Sequence, residues 1–172
     1  MDGAHHPGPR GGAGAASVMV LVPGMGHPDH ARLMQRGMAW LRRQALRIAI
    51  ECVISVYRPL DLGGTDFSPC ELVHERRPWA EVVKLLPEHR WKRHDAILIW
   101  DADVVPGEEV DLREMATIMA LHRLDHACLS FHPSRPKAPF RVMQARPGGG
   151  AGRLTNFCEI GLFGMYRPWA FG

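Results

Sequence analysis

Residues Ala96-Ile97-Leu98-Ile99-Trp100-Asp101-Ala102-Asp103-Val104-Val105-Pro106-Gly107 constrain this chain more than any other stretch, because an apolar run ends abruptly in two carboxylates and a Pro-Gly turn. On an extended chain successive side chains alternate faces, so Asp101 and Asp103 are expected on one side with the Ala102 methyl on the other. The run itself reads as a buried strand. A parallel strand in an α/β protein delivers its carboxyl end to the crevice where ligands bind. Paired carboxylates there suit a hard divalent cation, Mg²⁺ or Mn²⁺, which can hold a diphosphate against them. The plainer alternative is a strand end whose aspartates cap turns and meet water.

A length of 172 residues allows one domain with a real core. Hydrophobic content of 46% and charged content of 23% are ordinary for a globular protein. The net charge is only +3, and the 21 lysines and arginines are scattered, so nucleic acid is not the expected partner. Anionic small molecules remain suitable ligands. Cys52, Cys70, Cys128 and Cys158 form no C-x-x-C pair, and Cys52 and Cys128 fall in apolar, strand-like segments. They read as small buried hydrophobes, so neither a zinc site nor a disulfide framework is expected. No run approaches the roughly twenty apolar residues of a membrane span. The short apolar stretch before Pro23 is valine-rich with almost no positive flank, which suits a strand better than a leader peptide.

Residues 1–16 are Gly, Ala, Pro and His with little to bury, and are expected to be disordered. Order should begin at Ser17. Val18-Met19-Val20-Leu21-Val22 reads as a buried strand and Pro23-Gly24-Met25-Gly26 as the loop after it. Asp29 is placed to cap a helix reaching about Ile50, with Leu33, Gly37, Trp40, Leu41 and Ile48 as its apolar stripe. A second strand follows over residues 51–57 and a short third over 70–74. Trp79, Val82, Val83, Leu86 and Trp91 suit a covering helix that Pro87 must end or kink. After the acidic strand, residues 108–123 form an amphipathic pattern with Leu112, Met115, Ile118, Met119 and His122 inward and acids in the first turn. A fifth strand is expected over 127–131. Strands alternating with helices imply an α/β domain of three layers, a mostly parallel sheet with helices on both faces. Residues 133–152 carry four prolines and Gly148-Gly149-Gly150, and read as a long functional or mobile loop. The chain stops in aromatic sequence at Trp169-Ala170-Phe171-Gly172, an ending that looks like a truncation.

In this order of elements, with an apolar strand ending in D-x-D, the chain resembles the nucleotide-sugar-binding half of a GT-A glycosyltransferase. It is more closely similar to a plant-type family catalogued as a domain of unknown function and treated as glycosyltransferases. The likeness is carried by His94-Asp95-Ala96-Ile97-Leu98-Ile99-Trp100-Asp101-Ala102-Asp103 and by Thr155-Asn156-Phe157-Cys158-Glu159-Ile160, followed by Phe163 and Trp169. The resemblance covers residues 18–171 loosely and two short motifs well. It implies a single GT-A-like nucleotide-sugar-binding domain over residues 17–172, incomplete at the carboxyl end. A full GT-A catalytic domain is longer, and its later part, which contributes acceptor contacts and a further metal ligand, has no counterpart here. The donor implied is a nucleotide-diphospho-sugar, and the acceptor an unspecified glycan, lipid or protein. The family's members are expected in the secretory pathway, Golgi-type where the parent protein has an amino-terminal anchor.

Sugar transfer from a nucleotide diphosphate requires neutralising charge on the departing diphosphate. A Mn²⁺ or Mg²⁺ ion on Asp103, with Asp101 bound directly or through water, would serve, since such ions need only one or two protein carboxylates. The nucleotide would lie over the loops after the first two strands. There Pro23, Gly24 and Gly26 permit close backbone approach, and Arg58 or Asp61 can meet ribose, base or phosphate. Ordinary loop structure would use the same residues. Glu159 sits in an apolar phrase where a carboxylate needs a partner or a role. It is either the base that takes the acceptor hydroxyl's proton or half of an ion pair with Arg153 or Arg167.

The histidines carry less. His122 and His126 stand four apart, but Arg123 occupies the place where a zinc protease sets its glutamate, so one inward and one terminal helix histidine is the expected outcome. His27 and His30 flank a helix start, which capping or exposure explains as well as metal does. His132 follows the fifth strand and is a minor candidate. Two rival functions stand beside the transferase. Asp101-Ala102-Asp103-Val104-Val105 also fits haloacid-dehalogenase-like phosphatases, with Asp101 as nucleophile and Asp103 as acid–base. Those enzymes place the motif early and add a later acidic pair, where this chain offers isolated Asp111 and Asp125. The second rival is a nucleotide-sugar-fold domain without turnover.

Overall fold

The computed structural model describes residues 16–58, 64–74, 86–130 and 163–171. Residues 1–15 of the tail expected over 1–16, the Trp79, Val82 and Val83 part of the expected covering helix, the loop over 133–152, and Asp61, His132, Cys158 and Glu159 lie outside the described residues.

Six strands form one mixed sheet in the order β3-β2-β1-β4-β6-β5. In chain order these are β1 (Ser17–Met25), β2 (Ala49–Val56), β3 (Cys70–Val73), β4 (Ala96–Trp100), β5 (His126–Cys128) and β6 (Phe163–Tyr166), with helices α1 (Pro28–Ala45), α2 (Glu88–Trp91) and α3 (Leu112–Leu121). β3, β2, β1 and β4 are mutually parallel. β6 lies antiparallel between β4 and β5. The strand at residues 126–128 is thus shorter than expected over 127–131. Its neighbour, β6, was not expected as a strand, because Phe-Gly-Met-Tyr is too short and carries a Gly that breaks any propensity signal.

Alternation along the strands divides the core in two. Val18, Val20, Val22, Ile54, Leu98, Trp100 and Met165 pack on one face with Met34, Met38, Trp40 and Leu41 of α1 and Leu112 and Met119 of α3. Met19, Leu21, Val53, Ile97, Ile99 and Tyr166 pack on the other with Leu86 and Trp91. Helical residues therefore cover both sides of the sheet, as the α/β reading requires.

Local chemistry moves several boundaries. α1 ends at Ala45 rather than near Ile50, and its cap is His27, with Pro28 at the first helical position. Asp29 is inside the first turn, where its backbone N–H donates to His27 Nδ1 at 3.2 Å. Met34 and Met38 replace half-buried Leu33 in the inward stripe. α3 begins at Leu112 because Asp111 caps it, its carboxylate accepting from Arg113 N at 2.9 Å and Glu114 N at 3.2 Å. Pro87 occupies the position just before α2. His122 is exposed past the end of α3, and His126 is on β5, stacked on Tyr166 with ring centroids 4.3 Å apart, so the two are not a helical pair.

The absence of a disulfide is also corrected. Cys52 and Cys70 occupy paired positions on β2 and β3 and are joined by a disulfide. They are 18 positions apart in the chain, which hid the pairing in the sequence. Cys128 is exposed rather than buried.

At the amino ends of the strands, Glu51 on β2 accepts from Arg90, Arg93 and His94, and Arg90 also bonds Glu71 on β3. Burial pushes the Glu51 carboxyl up, but those three hydrogen bonds outweigh it and lower the value from 4.5 to about 2. Because the folded value lies below the unfolded one, this stabilisation is fully present above about pH 4.5 and is lost as pH falls towards 2. Urea denaturation at a series of pH values should therefore give Glu51→Gln a deficit of ~3 kcal/mol near neutrality that shrinks in acid. A deficit independent of pH would contradict the assignment.

Candidate functional site

Trp100 is the last residue of β4 and is fully buried. Its indole stands edge-on to Trp40 of α1, with centroids 5.5 Å apart and planes at 79°, and Phe163 of β6 packs against both. The indole also covers Gly37 so closely that a Cβ there would overlap its six-membered ring. The Trp100 Nε1–H donates to the carbonyl of Val104 at 2.7 Å. Val104 N in turn donates to Asp101 O at 3.0 Å. Residues 101–104 are therefore a closed turn, with Asp at the position where its side chain favours turn entry.

This changes how the two aspartates are brought together. Strand alternation does not apply to them, since β4 stops before Asp101. The turn sets them instead, with buried Ala102 between them. Downstream, Trp40 Nε1 and Gln44 Nε2 both donate to Val110 O, at 2.9 and 3.0 Å, and Gln44 Oε1 accepts from Leu112 N at 3.0 Å. Both ends of the loop are thus bonded to buried groups.

A cleft of about 410 Å³ opens at the carboxyl ends of the parallel strands, lined by Pro23, Gly24, His30, Tyr57, Asp101, Ala102 and Asp103. Four expected residues, Pro23, Gly24, Asp101 and Asp103, meet there. Gly24 has φ +77°, a left-handed conformation that a side chain would strain. Tyr57 follows β2, and its ring lies directly over Gly26, where a Cβ would collide with it. Arg58 is exposed, with its guanidinium carbon 5.5 Å from the centre of the Tyr57 ring, so it borders the cleft through that ring rather than lining it.

Asp103 is exposed, and no described residue pairs with its carboxylate. Asp101 is half-buried and engaged with a neighbour. No lysine or arginine is among the described residues of the cleft wall. Among the described residues there is no group of three or more His, Cys, Asp or Glu side chains arranged around one ion position. The donor set on hand is two carboxylates, oxygen-rich and anionic, which fits a Mg²⁺-type ion that keeps most of its waters. Asp111 is not part of it, being held by its capping bonds and by Arg47. Arg167, the suggested partner of Glu159, reaches Asp95 O at 3.4 Å.

Sequence reasoning missed Tyr57, which read only as a strand end, and left His30 between capping, exposure and metal. A signal for Tyr57 was present in the glycines of the preceding loop, since a ring can settle only where side chains are absent. Comparison with protein-family models and with curated proteins finds no match for this chain. No helix among the described residues is long and apolar enough to cross a membrane.

Replacing Trp100 by Phe keeps the buried ring and removes its donor, leaving the Val104 carbonyl without its partner. Chemical denaturation of Trp100→Phe should reveal a loss of about 1–3 kcal/mol, with amide exchange accelerated at residues 101–104. Unaltered exchange there would show that the indole does not hold the turn.

Proposed function

We propose that this chain binds a nucleotide-diphospho-sugar through a divalent cation on Asp101 and Asp103, as the donor-binding part of a GT-A-like glycosyltransferase. The observation that carries this reading is the meeting of both carboxylates with Pro23 and Gly24, at the irregular carboxyl end of β1, in one cleft at the carboxyl ends of parallel strands. Among the described residues no lysine or arginine lines this wall, and carboxylates that face a diphosphate repel it unless a cation stands between.

Asp101 and Asp103 would hold Mn²⁺ or Mg²⁺, whose chemistry there is to neutralise charge on the departing diphosphate. The left-handed Gly24 lets the backbone approach a phosphate or ribose without an intervening side chain. Tyr57 lines the cleft and brings it an aromatic side chain with a hydroxyl, and Arg58 above that ring adds positive charge at the rim. Asp61 and Glu159 belong to the same reading, Asp61 as a ribose or base contact and Glu159 as the base that takes the acceptor hydroxyl's proton. The Cys52–Cys70 disulfide supports an oxidising compartment such as the secretory pathway. Glycan, lipid and protein acceptors all remain compatible with it.

Calorimetric titration with uridine and guanosine diphosphates, with and without Mn²⁺, tests the reading. Metal-dependent binding is expected in the parent and should weaken at least about tenfold in Asp103→Ala, with circular dichroism unchanged because Asp103 is exposed. Equal binding by variant and parent would overturn the site. Metal-dependent hydrolysis of a generic phosphate ester would instead favour the phosphatase with Asp101 as nucleophile, and inertness in both assays a domain without turnover.

A further inference from the structure

His30 lies in the first turn of α1 and lines the same cleft as the two aspartates. Its Nδ1 is within 3.3 Å of the backbone nitrogen of Gly26 and 3.4 Å of that of His27, and both N–H groups donate to it. A ring nitrogen that accepts has a lone pair and no proton. In the neutral imidazole the proton is therefore on Nε2, which is a donor. No described residue bonds to that nitrogen.

This tautomer separates His30 chemically from the carboxylates beside it. A metal ligand at Nε2 would need its lone pair there, which moves the proton to Nδ1 and sets it against the two backbone N–H groups. The fixed Nδ1 thus opposes metal ligation and favours donation to an anion. Among the described lining residues the cleft combines carboxylates with an imidazole N–H donor, a pairing suited to a ligand that is negative itself and arrives with a cation.

We propose that His30 is a positioning residue that donates its Nε2–H to a diphosphate oxygen of the ligand and does not bind the metal. The proposal rests on the metal–diphosphate reading of the cleft and assigns the diphosphate a protein contact besides its cation. It also explains a histidine where a helix of this kind more often uses Glu or Gln at the same capping position. Glutamate would satisfy the backbone equally well and repel the ligand.

His30→Asn separates the two roles, because Asn Oδ1 takes the place of Nδ1 as acceptor for the cap while the Nε2 donor is lost. Three measurements are decisive. Affinity for Mn²⁺ alone, read from the electron paramagnetic resonance of the free ion, should be the same in parent and variant. Affinity for inorganic pyrophosphate and for uridine diphosphate in saturating Mn²⁺ should fall about tenfold in the variant, both to a similar extent, since the lost contact is to phosphate rather than base. In the parent, the imidazole ¹⁵N shifts of His30 should report an unprotonated Nδ1 and a protonated Nε2 at neutral pH, independently of any variant's folding. Weaker Mn²⁺ binding in His30→Asn, unchanged diphosphate affinity, or a protonated Nδ1 would each overturn the assignment. A parent that binds neither diphosphate would remove the proposed function along with it, whereas a parent that binds and a variant that binds equally well removes only the role of His30.

Discussion

One hydrogen bond, from the Trp100 indole to the carbonyl of Val104, ties the hydrophobic core to the chemistry at its edge. The indole is immobilised by Trp40, Phe163 and the close approach of α1 at Gly37. Any order it has is passed to the turn 101–104 and from there to both carboxylates. Apolar packing alone is not directional, whereas an N–H held by packing fixes a carbonyl in both distance and direction. Gln44 and Trp40 do the same for Val110 farther along the loop. The acidic pair is thus supported from beneath by α1, a helix that also contributes His30 to the cleft wall.

The sheet separates stabilising charge from the cleft. Glu51, Glu71, Arg90, Arg93 and His94 pair with one another near the amino ends of the strands. The cleft is at the opposite ends, and there Asp103 is left exposed without a partner among the described residues. A paired carboxylate and an unpaired one on the same sheet invite different explanations. Glu51 is accounted for by stability, and Asp103 is the carboxylate that the proposed function assigns to a ligand.

The parallel half of the fold was legible because its strands are continuous apolar runs and its helices carry clear stripes. The strands expected over 18–22, 51–57 and 96–100 are where valine, isoleucine and leucine clusters announce them, although β1 runs on through Pro23 and Gly24 to Met25, which read as loop. The antiparallel β6 was not, since Phe163-Gly164-Met165-Tyr166 becomes a strand only by pairing with β4 and β5 on either side. Helix starts moved by a few residues because His27 and Asp111 act through capping bonds that periodicity does not register. Pro23, Gly24, Asp101 and Asp103, singled out by type and order, line one cleft, though the closed turn rather than strand alternation unites the aspartates. Tyr57 and His30 come from separate segments of the chain, and only the β1–β2 pairing and the reversal at Gly26 bring them together. The Cys52–Cys70 bond has the same origin, being a consequence of strand register.

The central claim is that the turn after β4 presents Asp101 and Asp103 to a divalent cation in the cleft. Paramagnetic broadening of amide resonances by substoichiometric Mn²⁺ locates such an ion directly. The account predicts selective loss of signal from residues 101–104 together with Gly24, His30 and Tyr57, and no effect near Glu51. Broadening centred on any other carboxylates, or uniform weak broadening over the surface, would contradict it.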